Sequence, residues 1–222
     1  MILVKNVMNK IIRGIWKYLH FKKRRYYMNK YGNEALSILY EIGKQTGSIV
    51  WLDYGTLLGA IRDHDFIKHD DDIDLGMLAK DYNRMWERAI FERGFSVIRW
   101  FQLVNKNTKE QKITELTLNY KGLQIDVFLR FQEDEESIVY EYGGFGTDVQ
   151  RNYWPPSKMV FSWKGVESIL FRGINCNIPK KADRYLEYIY GPDFMIPNPS
   201  WKGSSNIEPV ESCYGQMMGV WH

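Results

Sequence analysis

Four aspartates fall within the five residues from Asp70 to Asp74, and apolar residues alternate through the end of the run at Ile73, Leu75 and Met77. On a strand, residues two apart share a face. Asp72 and Asp74 therefore point one way and Ile73 and Leu75 the other, into a second layer; Asp70 shares the acidic face if the strand begins that early. Two unit charges about 4 Å apart repel by roughly 4 kcal/mol at an effective dielectric of about 20. An exposed turn would relieve the repulsion but would not explain the alternation. The chain must therefore build a sheet that buries one face of this segment while gathering negative charge on the other, and that charge calls for a cation.

The ligand chemistry follows from the residue types. Oxygen-only donors suit Mg²⁺, which takes one or two carboxylates and completes its shell with water and substrate phosphates. No His or Cys stands nearby at zinc spacing, and the two cysteines, Cys176 and Cys213, have neither metal-ligand spacing nor a disulfide framework. A third carboxylate is offered by "LQIDVFLR", where Leu123, Ile125, Val127 and Leu129 alternate with Gln124, Asp126, Phe128 and Arg130. Paired beside 71–77, this strand would bring Asp126 to Asp72 and Asp74, giving a carboxylate set for phosphoryl transfer. Upstream, "YGTLLGAIR" follows a short apolar strand, 48–53. Gly55 would let backbone approach a phosphate, Thr56 offers a hydroxyl, and the N–H groups opening the next helix favour an anion. Arg62, Lys68 and His69 lie in the connection to the aspartates and could pair with phosphate or acceptor.

The remainder of the chain frames this segment. The 222 residues suit one domain, and 45% hydrophobic content indicates a globular chain. Net charge is +3, but residues 1–30 hold nine Lys or Arg and no acid, so the rest is mildly acidic and no nucleic-acid partner is expected. Ile11, Ile12, Ile15, Trp16 and Leu19 give a helix over 8–20 one apolar face, with Lys10, Arg13 and Lys17 beside it. Either residues 1–27 contact an anionic membrane or this helix packs on the domain with its charges solvated. A second helix is expected over 29–46, a third over 82–93 capped by Asp81, and a short one over 181–190. Strands are expected at 71–78, 95–101, 113–120 and 123–131, and a solvated acidic turn at 132–137. Residues 1–28 are thus read as a basic arm and 29–222 as one catalytic domain with an irregular tail. Trp154 and Trp201 are candidates to stack on a base or sugar. Neither a signal peptide nor a spanning segment is evident, so the expected place is cytoplasmic, peripheral on the inner face of the membrane.

Gly-Thr after a strand, an Asp-apolar-Asp strand and a lone Asp on a later strand are similar to the nucleotidyltransferase superfamily. More closely, "WLDYGTLLGAIRDHDFIKHDDDIDLGM" (Trp51–Met77), "IDVF" (Ile125–Phe128) and "IPKKADRYLEYIYGPDFMIP" (Ile178–Pro197) resemble the LicD family, which includes bacterial phosphocholine transferases, fukutin and fukutin-related protein. The resemblance covers roughly 35–200. It implies a mixed α+β, nucleotidyltransferase-like fold with a small mixed sheet flanked by helices. It also implies Mg²⁺ (one or two ions, with Mn²⁺ a substitute) and a CDP-alcohol donor whose phosphoalcohol passes to a glycan hydroxyl, free or lipid-linked, with release of CMP. Asp72 and Asp74 match the metal-binding pair, Asp126 the third catalytic carboxylate, Asp70 an additional acidic position, and Gly55, Thr56 and Arg62 the phosphate-side motif. Lys68 and His69 depart from the pattern, standing where something like Pro-Trp is expected, and should line the donor or acceptor pocket. The gap from Thr56 to Asp72 is longer than in many nucleotidyltransferases but fits LicD. Three rivals differ in testable ways. A nucleotidyltransferase donating an NMP group would release pyrophosphate. A sugar-nucleotide glycosyltransferase would explain Asp72 and Asp74 but not Gly55, Thr56 or Asp126. A non-catalytic binding module would have no use for the three acids.

Overall fold

The computed structural model describes residues 2–133, 136–142, 155–198, 200–201 and 203–220. It opens with one continuous 45-residue helix, α1 (Ile2–Thr46). Two helices were expected, with the basic stretch Phe21–Tyr27 between them. That stretch interrupts the apolar period but contains no Gly or Pro, and Lys and Arg are good helix formers, so the helix runs through. Its second half packs on the domain: Met28, Ala35, Leu36, Leu39 and Ile42 are fully buried. The helix thus crosses the expected boundary between residues 28 and 29 without a break.

The site is carried by a mixed sheet. Strand β1 (Val50–Leu52) lies antiparallel to β2 (Ile73–Leu78), with Leu52 opposite Leu75. Between them come α2 (Tyr54–Leu58) and a wide helical turn over Gly59–Asp63. A tight turn, Ala79–Asp81, then leads to α3 (Arg84–Glu92). Its cap is Asn83, whose side chain accepts from the N–H groups of Met85 and Trp86 at 2.9 and 3.1 Å. Asp81, the expected cap, sits inside the preceding turn and instead accepts from Ile49 N at 3.2 Å, tying the residue before β1 to that turn.

Strands β3 (Ser96–Asn105), β4 (Gln111–Tyr120) and β5 (Leu123–Glu133) form an antiparallel meander. Strand β2 joins it parallel to β5, with Ile73 beside Ile125, Asp74 beside Asp126 and Leu75 beside Val127. The alternation expected for both strands holds: Ile73, Leu75, Leu123, Ile125, Val127 and Leu129 are all buried in the core, facing α1 and its neighbours.

The sheet is larger than the small one expected, with nine strands among the described residues. The far end of β5 pairs with β6 (Glu136–Tyr142), then β7 (Pro156–Ser162), then β10 (Glu208–Pro209); β11 (Tyr214–Val220) closes the other edge on β3. Of the acidic segment expected as a turn, residues 132–133 and 136–137 lie on the paired strands β5 and β6, and the other two lie outside the described residues. Strands β8 (Val166–Phe171) and β9 (Ile174–Pro179) form a separate pair, followed by α4 (Ala182–Tyr190).

Candidate active site

The register gives the site its backbone. Asp74, Asp126, Thr117 and Arg99 are successive partners across β2, β5, β4 and β3, one transverse row of the sheet. Neighbouring strands lie about 4.8 Å apart, so side chains in such a row meet. Asp126 is 8% exposed; Gln124 donates to its Oδ2 at 3.0 Å, and Arg99 Nη2 stands 3.7 Å from its Oδ1. Arg99 also bonds Thr117 through Nε at 3.1 Å and faces Glu115 at 4.0 Å. Strand alternation alone did not mark Arg99 or Thr117 as neighbours of the site; aligning the hairpin register would have.

Ahead of Asp74, the loop folds Asp70 and Asp72 back over the same spot. One carboxylate oxygen from each of Asp70, Asp72 and Asp74 lies within 4.8 Å of the others. The loop is held by α1. Arg25 donates through Nη1 to the carbonyls of Ile67 and Asp70 at 2.5 and 3.0 Å, and Arg24 Nη2 bonds Asp72 Oδ2 at 2.8 Å with Asp71 at 3.3 Å. These two arginines belong to the basic stretch read as a membrane or solvent face, and nothing local in the sequence links them to aspartates more than 40 residues away.

Gly55 and Thr56 hold Asp74 from the other side. Gly55 N–H donates to Asp74 Oδ2 at 3.0 Å, and the Asp74 N–H donates to Thr56 Oγ1 at 2.9 Å. Thr56 is 1% exposed, so its hydroxyl serves the carboxylate strand here. A Cβ on Gly55 would collide with Asp70 Oδ2 and stand 3.1 Å from Asp74 Oδ2, so any side chain there must push the Asp70 carboxylate aside. The turn that delivers these residues starts at Asp53, whose N–H bonds the Asp74 carbonyl at 3.0 Å and whose Oδ1 caps Tyr54 N at 2.9 Å. Tyr54 sits at φ 38°, a strained conformation for a side chain of that size.

Asp53 is itself fully buried, against Arg130 and Tyr185. Arg130 Nη2 bonds Asp53 Oδ2 at 2.6 Å and also the Tyr185 hydroxyl, which donates to Asp53 Oδ1 at 2.6 Å. Burial alone would lower the Arg130 pKa, but Asp53, Tyr185 and Tyr54 hold it above its ordinary value. Sequence reasoning placed Arg130 on the polar face of β5 and Asp53 at a strand end, without pairing them.

The four site carboxylates lack compensation of that quality. Asp72 is pushed up to about 7, by burial first and then by Asp70, with Arg24 opposing. Asp74 rises well above the usual carboxylate range through burial and then Asp72, Asp70, Asp126 and Asp53. Asp70 is raised chiefly by burial. Burial and Asp72 raise Asp126, while Thr117, Arg99 and Gln124 pull it down. The buried Oδ1 of Asp126 accepts no hydrogen bond. An all-oxygen donor set so close together, with an oxygen left without a donor, could hold a divalent cation, principally on Asp70, Asp72 and Asp74 with Asp126 beside them.

Arg62, Lys68 and His69 line a cavity of about 780 Å³ together with Tyr190, Phe194 and Trp201. Arg62 makes a two-point ion pair with Asp63 at 2.7 and 2.9 Å. None of the four site carboxylates is among its lining residues; the backbone joins the two regions directly at His69–Asp70. Trp201 packs on Tyr190 at 4.7 Å between ring centres. Trp154 lies outside the described residues.

The LicD/FKTN/FKRP nucleotidyltransferase domain matches residues 47–181, a span holding Asp53, Gly55, Thr56, all four site carboxylates and Arg130 but not Arg24, Arg25 or Tyr185. The chain is 26% identical to the ribitol-5-phosphate transferase FKTN of Mus musculus, over 86% of this chain and 38% of that one. Against the human protein of the same name the identity is 24%, over 81% and 37%. An uncharacterized protein of Rickettsia prowazekii (strain Madrid E) is 35% identical over 32% of this chain and 29% of its own. The chain spans a little over a third of the length of the FKTN proteins. With the family's domain matched over more than half its residues, this chain belongs to the LicD/FKTN/FKRP nucleotidyltransferase-domain family.

Proposed function

We propose that this chain is a phosphoalcohol transferase that moves the phosphoalcohol half of a CDP-activated donor onto a sugar hydroxyl. The observation that carries the reading is the parallel register of Asp74 with Asp126, which sets a fourth carboxylate against the Asp70–Asp72–Asp74 group. Family membership and the ribitol-5-phosphate transferases among its relatives support the reaction class. The donor group is of the ribitol-phosphate, glycerol-phosphate or phosphocholine type, and the acceptor a glycan of a bacterial surface polysaccharide or its lipid-linked precursor.

In this reading Asp70, Asp72 and Asp74, with Asp126 alongside, would hold Mg²⁺, or Mn²⁺ in its place. When bound, the ion neutralises charge on the donor diphosphate. Asp126 accepts the proton of the attacking hydroxyl on Oδ1, the oxygen without a hydrogen-bond donor. The acceptor oxygen bonds to the phosphorus that carries the alcohol, and the bond from that phosphorus to CMP breaks. Lys68 and Arg62 receive the negative charge of the leaving nucleotide in the adjoining cavity, where Trp201 and Tyr190 offer faces to the base. Gly55, Thr56 and Arg25 keep the carboxylates in place; they need not touch substrate.

The test is calorimetric binding of a CDP-alcohol panel with and without Mg²⁺, using Asp72→Asn and Asp126→Asn as controls, followed by product analysis. Mg²⁺-dependent binding of one CDP-alcohol, lost in both variants, with CMP as product, supports the reading and names the donor. Binding of ATP or a UDP-sugar instead, or release of pyrophosphate, would replace it with one of the rival chemistries.

A further inference from the structure

Among the described residues, nothing covers one face of α1 over 11–19. Ile11, Ile12, Ile15, Trp16 and Leu19 are 55–64% exposed, although the same helix buries Met28 and every second-half anchor completely. At 100° per residue these five side chains fall within an arc of about 140°, and Lys10, Arg13 and Lys17 fall on the opposite side. Lys22 and Lys23 follow one turn later at the edges of the apolar arc. A lone exposed Ile needs no explanation, but five on one stripe with an indole among them do.

We infer that this stripe docks on an anionic lipid surface, lying in the plane of the headgroups. Charge selects that occupant over others. The first 30 residues carry nine Lys or Arg and no acid, so a second copy laid along this segment would double its positive charge and bring no acid to pair it. An anionic headgroup layer satisfies the cations and takes up the apolar side chains at once. No helix among the described residues is long and apolar enough to cross a membrane, which fits a helix that lies on the surface.

Continuity of α1 gives the docking a consequence. Arg24 and Arg25, which hold the aspartate loop, lie nine and ten residues beyond Ile15 on the same helix, about 14–15 Å along its axis. With the helix lying in the headgroup plane that offset runs along the surface, so one continuous helix ties the docked stripe to the aspartate loop, beside an acceptor carried on a lipid.

The test is co-sedimentation of the full chain with phosphatidylcholine vesicles, alone or with about one third phosphatidylglycerol. Binding needs neither donor nor acceptor, so its failure would leave the transfer reading standing. The chain should bind the anionic vesicles and not the neutral ones, with affinity falling steeply with salt. Replacing Ile11, Ile15, Trp16 and Leu19 together by Gln should weaken binding at least about tenfold, and replacing Lys10, Arg13 and Lys17 by Gln should weaken it and flatten the salt dependence. Because these side chains are exposed, both variants should keep the parent's thermal melting. A parent chain that stays in the supernatant, equal binding by the apolar variant, or binding to neutral vesicles alone would each overturn the inference. So would a lipid-free dimer that the apolar variant dissolves, which would make the stripe a seam between copies.

Discussion

Two sets of aspartate lie close to Gly55 in the chain or in space, one wholly buried and one largely half-buried. Asp53 is wholly enclosed, and each of its oxygens has a partner: Arg130 on one, Tyr185 and the Tyr54 N–H on the other. Asp70, Asp72, Asp74 and Asp126 crowd each other instead, with Arg24 and Arg99 at the margins and Asp126 Oδ1 without a hydrogen bond. In the first arrangement the carboxylate is fully matched as folded, and the one gap is the buried Arg130 Nε, which has no hydrogen-bond partner. The second is completed only by something from outside, either protons or a cation. A buried acid whose charge is matched belongs to the architecture; a group whose charge is left over marks where ligand is handled.

Breaking the matched set should have the largest effect on stability. Arg130→Met leaves Asp53 buried and unpaired, and should destabilise the fold by about 3–5 kcal/mol in chemical denaturation. Adding Asp53→Asn should recover part of that loss, because the stranded charge is gone. Equal stability for parent and Arg130→Met would show that the pair is not the anchor of the turn. The unmatched set should behave in the opposite sense. Asp72→Asn and Asp126→Asn should lower CMP release by about 10²–10³-fold, yet leave the metal-free protein as stable as the parent or more so, since each removes repulsion. A loss of stability comparable to that of Arg130→Met would erase the distinction between the two sets.

That distinction was only half legible in the sequence. The unmatched set announces itself because repulsion is local: Asp72, Ile73, Asp74 and Leu75 show both the charge and the burial period within four residues, and Asp126 repeats the pattern on β5. The matched set has no local signature, since Asp53 and Arg130 are 77 residues apart and each looks like an ordinary polar position. Arg24 and Arg25 were hidden for the same reason, and their cluster of cations suggested a break in α1 that the backbone does not make. Strands β6, β7, β10 and β11 add edges whose alternation is too weak to read, while the helices α3 and α4 were placed within a residue or two by their apolar stripes. Gly55 and Thr56 were read as the phosphate side of the site, whereas in the fold they bond Asp74, a partner that appears only once β2 is folded against α2.

Gly55→Ala tests the seam between the two sets. The added methyl would press on Asp70 Oδ2 and crowd Asp74, and its nearest contacts include neither Asp53 nor Arg130. Donor binding in the presence of Mg²⁺ should weaken by about tenfold, about 1.4 kcal/mol, with a smaller change in melting temperature. Unchanged binding would mean that the carboxylates can spread without consequence.

The finest test is pH, because the two sets respond differently to protons. Asp72 is raised by burial and by Asp70 to about 7, against about 3.9 for an unfolded aspartate. A raised folded-state pKa means that the folded state holds its proton more tightly. The stabilisation is full below about pH 4 and is lost as pH rises through about 7. Asp74, Asp70 and Asp126 shift in the same direction. The metal-free protein should therefore melt progressively lower between pH 5 and 8, by a few degrees, and Asp72→Asn should flatten that slope. Mg²⁺ competes with those protons for the same oxygens, so it should raise the melting temperature at pH 8 and have little effect at pH 5. A metal-free melting temperature that rises with pH, or a Mg²⁺ effect larger at pH 5 than at pH 8, would mean that Arg24 and Arg99 already neutralise the cluster and that it does not wait for a cation.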